Sequence, residues 1–476
     1  MIAFLSYLAV MIFIGWFVTR KQQTGEDFLL GGRDLSLGLM LGTIIATLVG
    51  TGSSMGAVGN GYLNGWGGAL FGIGGGVGIV LLAIFFVDVR KYNFMTMPEE
   101  ISFYYGANKT IKNVVSILLY LASIGWLGAH ILGGSFYLSW ITGVDLFTAK
   151  MITTVGFGLY VLIGGYLAVV WTDTIQAVVL FIGFVLMTVT AIPAAGGFEN
   201  IQAVVPPENL SFLGMEKSGF IPAISLAISI SVSVLAVPSF RQRIYSARSV
   251  SIAKKSFYIS AAAYFGFSAL PVIIGISAFA INPGLDNSNL AFPFMATTVL
   301  PPMLGALVLI SGLSASMSSG DSDAITGVTI LLRDIWMMFT GNVPPKERVV
   351  QYSRYAIAFS MLLAFAFTIF ASDILGYISK MVSTLMSGIC VAAFLGRFWN
   401  RATWQGAIAA LIGGSGISFL VLGVPSFSEF WGNPIIPSVL GATVLAVAVS
   451  LMTPENTVSD DAALARINEE RKRMDI

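Results

Sequence analysis

Residues 46–56 read Ala46-Thr47-Leu48-Val49-Gly50-Thr51-Gly52-Ser53-Ser54-Met55-Gly56. Three glycines and four hydroxyl residues in eleven positions make a poor continuous helix, yet the stretch sits inside an apolar window, 37–61, long enough to cross a bilayer. Unwound backbone at membrane depth is tolerated only where protein or a water-filled cavity satisfies its carbonyls and amides. The segment therefore reads as a helix interrupted to present backbone groups to a ligand, with close packing through small residues as the competing reading.

The rest of the chain supplies the membrane context. Of 476 residues, 56% are hydrophobic and 10% charged, and one cysteine, Cys390, leaves no pair for an intramolecular disulfide. Soluble domains carry roughly 25% charged residues, so an ordinary soluble enzyme is excluded. A net charge of +1 gives no reason to expect nucleic acid as a partner. Windows of about 20 apolar residues fall at 2–19, 37–61, 67–88, 113–142, 146–168, 172–194, 220–240, 254–281, 303–332, 350–371, 374–396, 402–424 and 433–452. The first has no basic leader or small-residue cleavage site and reads as a retained span. Twenty-one of 25 Lys and Arg fall at alternate span ends and in the tail, which puts the N-terminus outside and the C-terminus in the cytoplasm of a cell (plasma) membrane. The tail, 453–476, reads as a solvated cytoplasmic extension.

Span seven offers a counterpart to the interrupted span two. It carries Ser225, Ser229, Ser231 and Ser233 and stops at Pro238, before Arg241, Gln242 and Arg243. Weakened helices at corresponding positions of two halves suggest an inverted repeat, 37–194 and 220–396, with 2–19, 402–424 and 433–452 peripheral. Gly72/Gly76 and Gly74/Gly78 pair as tight helix contacts rather than a nucleotide loop.

Ionisable and hydroxyl groups inside spans are functional candidates. In span nine, a carbonyl at Ala315 and hydroxyls at Ser318 and Ser319 share one helix face. With carbonyls freed at Ala46 and Val49, they could shell a hard cation in oxygen without any carboxylate. Serines bonded back onto their own helix are the plainer alternative. Thr51, Ser53, Ser54, Ser229 and Ser233 suggest a small hydroxyl-rich pocket. Trp126 and His130, four residues apart on span four, could face it; otherwise His130 bridges helices. Lys380 either snorkels outward or meets an anionic solute or an external gate.

The stretches ATLVGTGSSMG, GGYLAVVWTDTIQ, VPSFRQRIYSARS and SGLSASMSSGDSDAITGVTILLRDIW resemble the sodium:solute symporters, which include proline, sugar, sialic acid, pantothenate and choline carriers. The resemblance implies an all-α membrane protein of about 13 transmembrane helices with a LeuT-like five-plus-five inverted repeat. It implies sodium-driven uptake of a small polar solute, amino acid or carboxylate-like, by a chain working as a monomer. The family's main sodium site falls on Ala46, Val49, Ala315, Ser318 and Ser319. A second site that some members carry falls on Asp173, Asp321 and Ser322, with an aspartate at 321 in place of a hydroxyl. Positions that set proline or sugar recognition in relatives hold Leu48, Ser53 and Ile230 here, so the solute is left open. Two other classes compete: an intramembrane aspartyl protease using Asp173 and Asp321, and a proton-coupled carrier of the same fold.

Overall fold

A computed structural model describes residues 2–19, 30–163, 165–345 and 348–474. Arg20, Lys21 and Lys346, counted above toward orientation, and Gly164 of span five lie outside the described residues. The principal helices are α1 (Ile2–Thr19), α2 (Leu37–Leu48), α3 (Ala57–Asn64), α4 (Ala69–Phe85), α5 (Met97–Tyr104), α6 (Lys109–Thr142), α7 (Leu146–Ile163) and α8 (Tyr166–Ala194). They continue as α9 (Phe220–Ala236), α10 (Pro238–Ser246), α11 (Val250–Phe267), α12 (Ala269–Ile281), α13 (Pro302–Ile330) and α14 (Val349–Thr368). The last are α15 (Ile374–Met381), α16 (Ser387–Phe398), α17 (Trp404–Gly423), α18 (Ile435–Met452) and α19 (Asp460–Met474). Among the described residues nine helices are long and apolar enough to cross a bilayer, ten with one bent pair, and three shorter apolar helices lie at Ala9–Val18, Leu37–Leu48 and Leu146–Leu162.

Span two breaks where its glycines and hydroxyls cluster. Helical geometry stops at Val49 (φ −90°, ψ 61°), and the chain rewinds through one wide turn, Gly52–Gly56, into α3. Hydroxyls within the break satisfy the carbonyls it frees: Ser53 Oγ donates to Leu48 O at 2.7 Å and Ser54 Oγ to Gly50 O at 2.7 Å. Gly50 allows close approach, since a Cβ there would stand 2.5 Å from Ser319 Oγ and force that side chain to shift. At the far end Gly65 turns the chain at φ 56°, where a side chain would overlap the Asn209 carbonyl.

Span seven breaks too, for a different reason. Proline pushes the residue before it into extended geometry; Val237 adopts φ −73°, ψ 129°, and α9 and α10 meet at 44°. The bend changes the fate of the arginines that the sequence places in a cytoplasmic loop. Arg241 and Arg243 are both 0% exposed, because α10 turns them back into the protein. Arg241 pairs with Glu100 at 3.2 Å and lies over the Phe86 ring at 3.5 Å.

The tail also differs from its expected solvated state. Residues 460–474 form α19, whose Ala463 and Ile467 are each 1% exposed and whose Arg471 grips Glu99 of α5 through two bonds, 2.8 and 2.9 Å. An Ala–Ile pair at i,i+4 gives the helix a narrow apolar stripe, enough to dock it once the charges pair. Burial opposes the charge of Glu99, and the Arg471 guanidinium overcomes it, holding the carboxyl below its ordinary value.

Candidate functional site

The interrupted span two and α13 lie against each other at the centre of the protein, flanked by α6 and α8. At their contact Ser318 Oγ donates to Ala46 O (3.1 Å) and Ala315 O (3.4 Å), and Ser319 Oγ donates to Ala46 O (3.3 Å) and Thr47 O (3.1 Å). The structure thus gathers four of the five expected residues into one cluster of uncharged oxygens. The Thr47 carbonyl joins them. Val49, fully buried, marks the end of α2, and neither serine bonds its carbonyl. A shell of carbonyls and hydroxyls buried between two helices is the chemistry that suits a monovalent hard cation.

A second cluster lies on the neighbouring turn. Asp173 Oδ2 accepts from Thr43 Oγ1 at 2.6 Å and Ser322 Oγ at 3.3 Å, and faces Arg243 Nη2 at 3.3 Å. Arg243 also donates to Ser322 Oγ at 2.6 Å, Thr47 Oγ1 at 2.5 Å and Ser239 O at 2.9 Å. A guanidinium therefore stands between Asp173 and Ser322. Asp321 is not bonded to either; among the described residues neither of its buried carboxylate oxygens has a hydrogen-bond partner. Successive helix residues point about 100° apart, which is why Ser322 meets Asp173 while Asp321 turns elsewhere. Behind this cluster, Tyr7 of α1 accepts from Gln176 (2.8 Å) and Ser314 (2.6 Å), so the first helix is fastened to α8 and α13.

A cavity of about 50 Å³ opens beside the serine pair. Its wall includes Ser53, Trp126, His130 and Ser233 of the seven expected pocket residues, together with Ser319 from the oxygen cluster. Thr51, Ser54 and Ser229 are not part of it. Thr51 instead donates to Ser316 Oγ at 2.9 Å and meets His130 Nδ1 at 3.0 Å, while Ser54 bonds the Gly50 carbonyl. The wall is more aromatic than the hydroxyl-rich reading expects, with Phe71, Trp126, Phe240 and Tyr264 on it.

Sequence reasoning missed Asp323. Its Oδ2 lies 3.3 Å from His130 Nε2, it is 4% exposed, and it lines the cavity. The available signal was spacing: Asp323 falls four residues after Ser319, on the same helix face. Lys380 is exposed in a separate outer cavity of about 320 Å³ that also holds Asn60, Asn64 and Asn433.

The interrupted helices, the buried oxygen cluster and the adjoining cavity define a secondary transporter. The profile described as the Sodium:solute symporter family matches residues 28–414, and the chain belongs to that family. It is 25% identical to the sodium/pantothenate symporter of Escherichia coli (strain K12), covering 91% of this chain and 92% of that one. Against the sodium/proline symporter of the same strain the identity is 24%, over 95% and 93% of the two chains. Among solved structures it is similar to a Na+-coupled sialic acid symporter in a substrate-bound outward-open state, with a TM-score of 0.81 and 18% identity over 95% of this chain and 98% of that one. It is also similar to Mhp1, a nucleobase-cation-symport-1 family transporter in a closed conformation, with a TM-score of 0.61 and 15% identity over 95% and 99%. The fold is accordingly the LeuT-like all-α architecture. The protein is a sodium-coupled symporter of a small solute, embedded in the plasma membrane, and not an enzyme. The protease reading of Asp173 and Asp321 finds no support among these relatives.

Proposed function

We propose that this chain imports a small polar solute, of amino-acid type, on a sodium gradient by alternating access. Sodium binds where the Ala46, Thr47 and Ala315 carbonyls meet the Ser318 and Ser319 hydroxyls, and the Val49 carbonyl, freed at the end of α2, adds a further oxygen. The solute binds in the adjoining cavity. The observation that carries the reading is Ser319, whose hydroxyl belongs to the oxygen cluster and whose side chain is part of the cavity wall. A ligand on either side of that wall favours the same approach of span two to α13, so each raises the other's affinity. Rocking the two apart dismantles both sites together.

Arg243 supplies a tethered positive charge at Asp173 and Ser322, which supports one sodium per solute rather than two. The basic span ends, and the pairing of α19 with α5 through Arg471 and Glu99, support a cytoplasmic C-terminus, an outside N-terminus and 453–476 as a cytoplasmic segment. The breaks at Val49 and Val237 support repeats at 37–194 and 220–396 within one transporter domain, which needs no partner subunit to complete its site.

The test is uptake into proteoliposomes of purified protein, with radiolabelled amino acids under an inward sodium gradient and with potassium replacing sodium. Accumulation that requires sodium, and sodium entry that matches solute one for one, is the expected result. Uptake indifferent to that replacement would refute the coupling, and two sodium ions per solute would refute the role given to Arg243.

A further inference from the structure

The cavity wall carries a charge that neither the main sodium cluster nor the Asp173–Arg243 pair uses. Asp323 is 4% exposed and lines the cavity; one carboxylate oxygen faces His130 Nε2 at 3.3 Å, and the other, Oδ1, is buried with no hydrogen-bond partner. A buried acceptor left unsatisfied is costly, and a charged one more so. Among the described residues no Lys or Arg lines the cavity. Arg243 is tied to Asp173, Ser322 and Thr47, and Lys380 lies in the separate outer cavity.

The His130 ring is held from both sides. Thr51 Oγ1 meets Nδ1 at 3.0 Å, and the Trp126 ring stacks over the imidazole with centroids 6.0 Å apart and 25° between planes. That fixes the direction of the Asp323 carboxylate and leaves Oδ1 as its free acceptor. The same cavity wall carries the aromatic residues Phe71, Trp126, Phe240 and Tyr264. The indole Nε1 of Trp126 is likewise buried without a partner, a free donor on the same wall. Aromatic faces attract cations through their quadrupoles, most strongly when water is excluded. One unmet carboxylate oxygen on a wall of aromatic rings, with no Lys or Arg among its described lining residues, forms a receptor for a protonated nitrogen, not for a carboxylate alone.

We propose that Asp323 is the solute anchor and specificity determinant of this transporter, and that the solute it selects carries a primary or secondary ammonium group. The N–H of that group donates to Asp323 Oδ1, its charge rests among the aromatic rings, and the Trp126 indole N–H takes an acceptor elsewhere on the solute. This rests on the reading above that the cavity is the solute site, and it names the chemistry selected there. An amino acid fits by presenting both an ammonium donor and a carboxylate acceptor. A hydroxy acid or a sugar leaves Asp323 Oδ1 without a charged donor.

The experiment is thermal unfolding of the purified full-length protein in sodium buffer and in potassium buffer. The probes are the twenty standard L-amino acids, ethanolamine and putrescine, against glycine betaine, lactate, pantothenate and glucose. Stabilisers drawn from the ammonium set are expected, with at least tenfold weaker binding in Asp323→Asn, partial rescue in Asp323→Glu, and sodium-induced stabilisation equal to wild type in both variants. That last measurement shows that the variants are folded and that their sodium site is intact. Stabilisation by lactate, pantothenate, glucose or glycine betaine would overturn the proposal. So would undiminished amine binding in Asp323→Asn, or sodium-induced stabilisation of the wild type with no response to any ammonium compound. Absence of sodium-induced stabilisation in the wild type would instead bring down the symporter reading beneath it.

Discussion

Replacing Arg243 with methionine removes the positive charge from a pair in which both side chains are 0% exposed. Six hydrogen bonds go with it, to Thr43 through side chain and backbone, to Ser239, Thr47 and Ser322, and to Asp173 itself. Asp173 keeps only the Thr43 and Ser322 hydroxyls. Stranding one member of a buried pair costs about 3–5 kcal/mol, much of it the desolvated charge left behind. Arg243→Met is therefore expected to lower the unfolding free energy by about that amount. Adding Asp173→Asn removes the stranded charge and should return about 0.5–3 kcal/mol of it, the range of coupling between residues in contact. Salt should change neither value, since the pair is shielded from solvent. The assay is a double-mutant cycle by denaturant unfolding of purified protein in mixed micelles, at low and high salt. Additive effects of the two substitutions, or a loss in Arg243→Met no larger than a surface change of about 0.5 kcal/mol, would refute the account of this pair.

Two other expectations follow from single contacts. Gly50→Ala places a methyl group 2.5 Å from Ser319 Oγ and 3.0 Å from His130 Cε1; overpacking of about 1–3 kcal/mol should weaken sodium binding by roughly fivefold to a hundredfold, and unchanged sodium affinity would show that the break is looser than described. The Glu99–Arg471 latch should be pH-dependent: Glu99 titrates below its ordinary value of 4.5, so the stabilisation is complete above that value and is lost as pH falls through the lower one. Limited proteolysis of α19 should accelerate only in that acid range, and Arg471→Ala should be cleaved readily at neutral pH as well.

Much of the architecture is legible in composition and punctuation. The two breaks are written locally, one as a run of glycine and hydroxyl residues at 46–56 and one as Pro238, so no tertiary information is needed to place them. The span limits follow from hydropathy windows in the same way. The charges do not. A positive-inside count treats every arginine near a span end as a loop residue, and only the 44° turn at Val237 reveals that Arg241 and Arg243 are buried. The tail is similar: its composition reads as solvated, and docking depends on Glu99, more than 360 positions away. The serine pair of α13 and its Ala46 partner could be anticipated from i+3 and i+4 spacing, because helix geometry fixes which residues share a face. Meeting of Asp323 with His130 depends on the register between α13 and α6, which no local pattern encodes.

The central claim is that sodium is held by uncharged oxygens at the contact of Ala46 with Ser318 and Ser319. Binding of radioactive sodium to purified protein, competed by unlabelled sodium or potassium, tests it most directly. A hydroxyl facing a charge is worth roughly 1.5–3 kcal/mol, so removing two should weaken sodium by at least about a hundredfold. Ser318→Ala with Ser319→Ala is predicted to lose sodium-competed, potassium-insensitive binding, in a protein that unfolds within about 2 kcal/mol of wild type. Sodium binding at wild-type affinity in that variant would contradict the account.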